Sequence, residues 1–155
     1  MFWRLKRSEF HALGKAARKA AFRKLVKSGA PLGILAYDGE TPVGWCAIAP
    51  RAASPGLERS PVCRPVDDKP VWSITCFFVE PKARRDGVMD ALIAAAVKHA
   101  KRHGARIVEA YPRDPGGVRI DSAPAYVGVV TPFLSHGFRE VARRTPKRPL
   151  MRRYL

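Results

Sequence analysis

The sequence has no long apolar run, few acids and an odd number of cysteines, and each shortage narrows what the chain can be. No stretch approaches the roughly 18 apolar residues that a membrane-spanning helix needs, so no membrane span is expected. The first ten residues, MFWRLKRSEF, hold neither an extended apolar core nor a small-residue cleavage site, which argues against a secretory signal. Cys46, Cys63 and Cys76 are spaced for no metal, and reduced thiols in a cytoplasm are the simplest reading. His99 and His103 stand one helical turn apart without a third ligand, so no metal is expected there. Ser135-His136 lacks a nucleophile elbow. The Gly-Lys-Ser/Thr ending of a P-loop is missing, as is the three-glycine dinucleotide fingerprint.

Thirteen Asp and Glu stand against twenty-nine Lys and Arg in 155 residues, a formal net charge of +16. Such an excess favours polyanionic partners, nucleic acid and ribosomes among them, yet no aromatic RNA-reading motif accompanies it. At 46% apolar and 27% charged residues the composition is that of an ordinary globular protein, and one domain over residues 1–155 is expected.

What the sequence does contain is a sharp change of period in residues 71–104. The run VWSITCFFV is apolar, β-branched and aromatic, and reads as a nearly fully buried strand that turns at Glu80-Pro81. After the turn PKARRDG, Val88, Leu92, Ala95 and Ala96 share a helical face, Lys98, Lys101 and Arg102 take the other, and Gly104 provides a left-handed stop. The first amides of a helix have no partner within it, and the macrodipole adds positive potential, so this turn is an anion site. Lys82, Arg84 and Arg85 flank it, and Gly87 lets backbone approach a pyrophosphate.

Elsewhere, residues 8–27 predict one helix with Lys15, Lys19, Arg23 and Lys27 as a basic stripe and Leu13, Ala17, Ala21 and Leu25 as the buried side. Residues 32–37 and 43–49 are expected strands, joined by the hairpin turn Asp38-Gly39-Glu40-Thr41. Residues 50–70 are irregular and rich in proline, with a short helix expected at 57–60. Asp67 and Asp68 lie near its end, as loop residues within reach of a substrate mouth or as turn residues bonded to their own backbone. A strand at 105–111, a helix at 126–136 and strands at 139–143 and 150–155 follow.

These motifs resemble the GNAT superfamily of N-acetyltransferases. VEPKARRDGVMDALIAAAV is similar to its coenzyme A motif, with Arg84, Gly87 and Val88 at the motif positions; Met89 stands where Gly or Ala is usual, and Asp86 is an acid where neutral or basic residues are common. The resemblance extends through GILAYDGETPVGWCAIAPR, PVDDKPVWSITCFFV, GARIVEAYP and SHGFREVARR, and more narrowly to a bacterial branch with a VGWC strand and a Pro-Val-Asp-Asp loop. It implies a mixed α/β GNAT fold: a central, mostly antiparallel sheet, splayed open and flanked by helices, here with too little chain upstream for both the usual first strand and first helix. A sheet edge left unpaired in this way would be covered by a second copy, giving a homodimer.

The implied activity is direct transfer of acetyl from acetyl-coenzyme A to a primary amine of unknown identity, without a metal. The implied coenzyme contacts are Phe77, Phe78, Val79, Lys82, Arg84, Arg85, Asp86, Gly87, Val88 and Met89, with the Phe77 amide polarising the thioester. A side chain at Met89 would narrow the phosphate approach, and Asp86 would repel the phosphates unless it points to solvent. The position that often carries a catalytic tyrosine is Phe133, and Ser73 stands where some members have a carboxylate. Tyr126 and Glu109 are therefore the catalytic candidates, the first near the sulfur, the second as a mid-strand acid that must face a cavity, a cation or water. Cys76 on the central strand reads mainly as a small core residue. The charge leaves one rival: a catalytically weakened, basic binding module on the same scaffold that contacts nucleic acid or ribosomes.

Overall fold

The computed structural model describes residues 2–116 and 124–155. It is a mixed α/β structure around a six-stranded sheet: β1 (Ile34–Asp38), β2 (Thr41–Pro50), β3 (Trp72–Val79), β4 (Ile107–Ala110), β5 (Arg139–Arg143) and β6 (Pro149–Tyr154), in the order β1-β2-β3-β4-β6-β5. All neighbours are antiparallel except β3 and β4.

Helix α3 (Val88–Arg102) buries Leu92, Ile93, Ala96, Val97 and Ala100 on one face of this sheet. Their partners there are Cys46 and Ile48 of β2, Ile74 and Phe77 of β3, Val108 and Ala110 of β4, and Met151 of β6. The alternation of β2 leaves Trp45 and Ala47 on the opposite face, as a pleated strand requires.

The helix expected at 8–27 is two: α1 (Arg7–Ala12) and α2 (Lys15–Lys27). Leu13 and Gly14 are both extended between them, and Gly14 is a poor helix-interior residue by about 1 kcal/mol. The basic stripe Lys15, Lys19, Arg23 and Lys27 is exposed and Leu13, Ala21 and Leu25 are half-buried, as expected, but Ala17 is exposed and Arg18 and Phe22 turn in. Arg18 lies 4.4 Å over the Phe10 ring, and Phe22 meets Trp45 edge-on at 6.0 Å. Aromatic contact, stronger than alanine burial, sets the helix's rotation.

No strand precedes β1 among the described residues; residues 2–5 form turns, and the outer edge of β1 has no partner there. The helix expected at 57–60 is absent: residues 55–63 run through successive turns, and a short 3-10 turn sits instead at Arg51–Ala53. The segment is held by arginine rather than by its own ladder, since Arg144 donates to the carbonyls of Val62, Arg64 and Pro65. The helix expected at 126–136 is likewise divided, into a 3-10 turn at Pro124–Val127 and α4 (Val130–Ser135). Gly128, at φ +82°, breaks it.

Candidate functional site

β3 pairs with β4 only from Trp72↔Val108 to Ile74↔Ala110, and beyond Ile74 its β4-side edge is open. On the other side, the Glu80 amide donates to the Val43 carbonyl at 2.9 Å. Alternation along an antiparallel ladder then turns Phe78 toward β2, and the N–H and C=O of Phe77 and Val79 toward the open edge. A bulge opposite Ala47 and Ile48 leaves Thr75 without a partner in β2. The bulge puts Thr75 and Cys76 together on the face away from α3, while Phe77 stays in the α3 core.

At the open edge lies a cavity of about 460 Å³ lined by Phe77, Phe78, Val79, Ala83, Arg84, Arg85, Gly87, Val88, Met89, Asp90 and Tyr126. Its floor is the start of α3. Gly87 caps the helix at φ +73°, and Arg85 is also left-handed at φ +75°, a strained conformation for a side-chain-bearing residue that clusters at functional turns. The first bond inside the helix runs from the Ala91 amide to the Gly87 carbonyl, so the amides of residues 88–90 have no partner in it. Arg84 reaches back and donates through Nε to the Val79 carbonyl at 3.1 Å.

Lys82 and Asp86 do not line this cavity. Asp86 is exposed, so it faces solvent. The acid that does line it is Asp90, whose Oδ1 lies 3.3 Å from His136 Nε2. Met89 spends its length on the opposite wall: a Cβ on Gly128 would lie 2.6 Å from Met89 Cε, beside Phe133 and Phe77. Its side chain therefore fills a glycine hollow between α3 and the 3-10 turn.

A second cavity, about 120 Å³, opens on the other face of the sheet. Trp45, Ala47, Thr75 and Cys76 form its floor, Phe22 and Leu32 one side, and Phe2, Trp3, Arg4 and Ser54 the other. Tyr126 lines both cavities. Burial pushes its phenol above the ordinary value, so it is a proton donor at neutral pH and not a base.

Glu109 reaches neither cavity. It is fully buried, on the face away from α3, and accepts from Arg51 Nη1 at 2.7 Å, from Arg152 Nε at 2.7 Å and from the Tyr111 hydroxyl. Arg51 also donates to Glu58 and to the Cys63 carbonyl, Arg152 grips Asp67 with both terminal nitrogens, and the Tyr111 and Ser73 hydroxyls are 3.0 Å apart. The expected catalytic base is thus the hub of an ion-pair lattice. Its lone pairs are engaged and its charge is balanced by two guanidinium groups, so of the cavity, cation or water expected to face this mid-strand acid it meets cations, and it does not reach a substrate as a catalytic group would. Asp67 is held below the usual carboxylate range, chiefly by the hydrogen bond from Arg152.

Residues 1–118 match the acetyltransferase (GNAT) family. The chain belongs to this family. It is accordingly an acetyl-coenzyme A-dependent acyltransferase. No curated protein is detectably similar to it in sequence. Among solved structures the GNAT fold is shared with a ribosomal-protein-alanine N-acetyltransferase from Brucella melitensis, 16% identical over 92% of this chain and 80% of that one, at a TM-score of 0.57. It is shared too with yncA, a Salmonella typhimurium protein described with acetyl-CoA, 14% identical over 92% and 75% of the two chains, at a TM-score of 0.55. An aminoglycoside 6'-N-acetyltransferase from Acinetobacter haemolyticus is 20% identical over 86% and 79%, at a TM-score of 0.50.

Within this GNAT scaffold Phe133 is fully buried, 6.0 Å from the ring of Phe77 and 5.1 Å from that of Phe138. The position is core, and no proton donor is built there. Ser73 bonds Tyr111 and lines neither cavity. His99 and His103 stack on each other at 4.3 Å and on Trp72, at the far end of α3. Sequence reasoning did not single out Asp90, Ser54, Thr75, Trp3 or the arginines of the lattice. Asp90 carried a signal, being an acid in the first turn of a helix already read as an anion site; the others become neighbours only through contacts distant in sequence.

Proposed function

We propose that this GNAT protein transfers acetyl directly from acetyl-coenzyme A to a primary amine, the coenzyme entering the cavity at the α3 turn and the amine arriving from the opposite face. The observation that carries this reading is the position of Tyr126, which faces both cavities at the point where β3 and β4 part. The fit to coenzyme A is chemical: unpartnered amides, Arg84 and Arg85 suit the pyrophosphate, and the apolar wall of Phe77, Phe78 and Met89 suits the pantetheine arm. The outward amides of Phe77 and Val79 would pair with that arm, Phe77 also polarising the thioester carbonyl. Gly87, Val88 and Met89 supply backbone at the phosphates, and Lys82 at the rim adds charge.

The amine lone pair forms the new C–N bond as the C–S bond breaks. The departing thiolate takes the Tyr126 proton, the nitrogen gives up its own to water, and the tyrosinate is reprotonated from solvent. Glu109 positions the loop that walls the acceptor cavity and touches neither substrate. A cytoplasmic setting agrees with the three free cysteines. The free edge of β1, beside exposed Leu35 and Tyr37, is where a second copy would pair. The direct test is incubation with acetyl-coenzyme A and a mixed set of primary amines. Free thiol released together with an acetylated amine, seen by mass spectrometry, supports the reading; thiol release without any acetylated amine contradicts it.

A further inference from the structure

The second cavity has a chemistry of its own. Five aromatic side chains, Phe2, Trp3, Phe22, Trp45 and Tyr126, wall it, with Phe22 and Trp45 locked edge-on. Ser54 and Thr75 are buried on it, and the Trp3 indole N–H is buried without a partner among the described residues. Neutral hydrogen-bonding capacity is therefore available to a guest.

Among the described residues no carboxylate lines this cavity. The nearby acids of the same face, Glu58, Asp67 and Glu109, are engaged by Arg51 and Arg152. Among the described residues the one charged group on the wall is Arg4, which donates to the backbone carbonyls of Ala53 and Pro31 and meets no anion there. On a chain of net charge +16, an entering ammonium group meets repulsion and, among the described residues, no counter-ion on the wall.

From this wall we infer that the acceptor is a weakly basic primary amine on an aromatic or branched apolar body, carrying no further cation, and not a lysine-like amine or a polyamine. The inference rests on the acetyl-transfer reading of the same site. An amine bound without a counter-ion must arrive uncharged, and basicity then acts as a filter. At pH 7.5 an α-amino group of pKa ~7.7–8 is about a third deprotonated, whereas a lysine-like amine of pKa ~10.4 is neutral in roughly 0.1% of molecules, a difference of about two hundred-fold.

The test compares three acceptors with acetyl-coenzyme A at pH 7.5: phenylalaninamide, phenethylamine and spermidine. The first two share a ring and differ in amine basicity; the third is polycationic. Calorimetric binding of the coenzyme is measured first, because its absence would remove the acetyl-transfer reading itself. Given coenzyme binding, kcat/KM for phenylalaninamide should exceed that for phenethylamine by about a hundred-fold, with spermidine lowest, and raising the pH should close the gap. Thr75→Val, of nearly equal volume, should raise the amine KM several-fold and leave the coenzyme KM unchanged. Arg4→Gln should raise the relative rate with spermidine. Spermidine or phenethylamine as the best acceptor would overturn the inference, as would equal rates with all three, or no acetylation of any of them by a protein that binds the coenzyme. The first of these outcomes would mean that the aromatic wall holds cations by their charge.

Discussion

The cavity beneath the α3 turn is made from one continuous stretch, residues 77–90, closed by Tyr126; the cavity on the opposite face draws its wall from seven separate places in the chain, from Phe2 to Tyr126. The first offers a guest mainly backbone, through the amides that a helix leaves free beside a left-handed glycine. The second has no such local device. Its walls are placed by ion pairs between distant residues, Arg51 to Glu109 and Arg152 to Asp67, and by the Gly56 amide donating to the Trp3 carbonyl at 2.8 Å. On the proposed assignment, donor recognition would depend on local geometry and acceptor recognition on tertiary assembly. Substitutions should therefore separate the two.

The largest separation should come from Glu109→Ala. Two buried guanidinium groups lose their common partner, and unfolding free energy should fall by about 3–5 kcal/mol in a denaturant titration. Coenzyme affinity of the folded fraction should change little. A loss below about 1 kcal/mol would show that the lattice does not hold the acceptor wall.

Next is Tyr126→Phe, at the boundary between the two regions. Removing the proton donor should lower kcat about a hundred-fold while coenzyme affinity stays within about threefold. Burial raises the phenol above its ordinary 10.0, so the proton-donating form persists to higher pH and should cause no alkaline fall in kcat below that value. A rate unchanged by the substitution would move the acid to another group or to water.

A smaller effect is expected at Asp90, the acid on the wall of the donor cavity. Its charge opposes a phosphate, and two unit charges some 7 Å apart in water interact by about 0.6 kcal/mol, so Asp90→Asn should tighten coenzyme binding roughly threefold. Acceptor KM should not move.

The smallest is the pH response of stability. Burial, with His103 and Arg102 nearby, lowers His99 from its ordinary 6.5, so the native state prefers it neutral, and stability should begin to drop as pH falls below that value. Asp67, Asp114 and Glu140 are held below their ordinary values of 3.8, 3.8 and 4.5, so their contributions are present above those values and are lost as pH falls through the lowered ones. Thermal melts between neutral and strongly acid pH should show a shallow decline followed by a steeper one, and Asp67→Asn should flatten the steep part.

The contrast also explains what could be read from the sequence. The strand VWSITCFFV, the turn with Gly87 and the amphipathic helix after it carry their structure in local periodicity, and they appear as β3, the capped turn and α3 within a residue or two. The hairpin at Asp38-Gly39 and β5 follow from equally local signals. Glu109 was legible as a buried acid in need of a partner, but not the identity of that partner, because Arg51 and Arg152 lie 58 and 43 residues away. The rotation of α2 toward Phe22 is set by a contact with Trp45 that composition does not reveal, while the break before it falls at Gly14, a weak helix former inside the stretch read as one helix. Of the second cavity's wall, assembled from such contacts, the sequence pointed to Tyr126 and Cys76 but not to the residues that surround them.

Binding of acetyl-coenzyme A at the turn between β3 and α3 can be measured by calorimetric titration at moderate salt, with Gly87→Glu as the control. That substitution puts a side chain where φ is +73° and a carboxylate beside the phosphates. A single saturable site is expected in the native protein, with a loss of affinity of at least about a hundred-fold in the variant. Absence of binding to the native protein, or equal binding by both, would contradict that expectation.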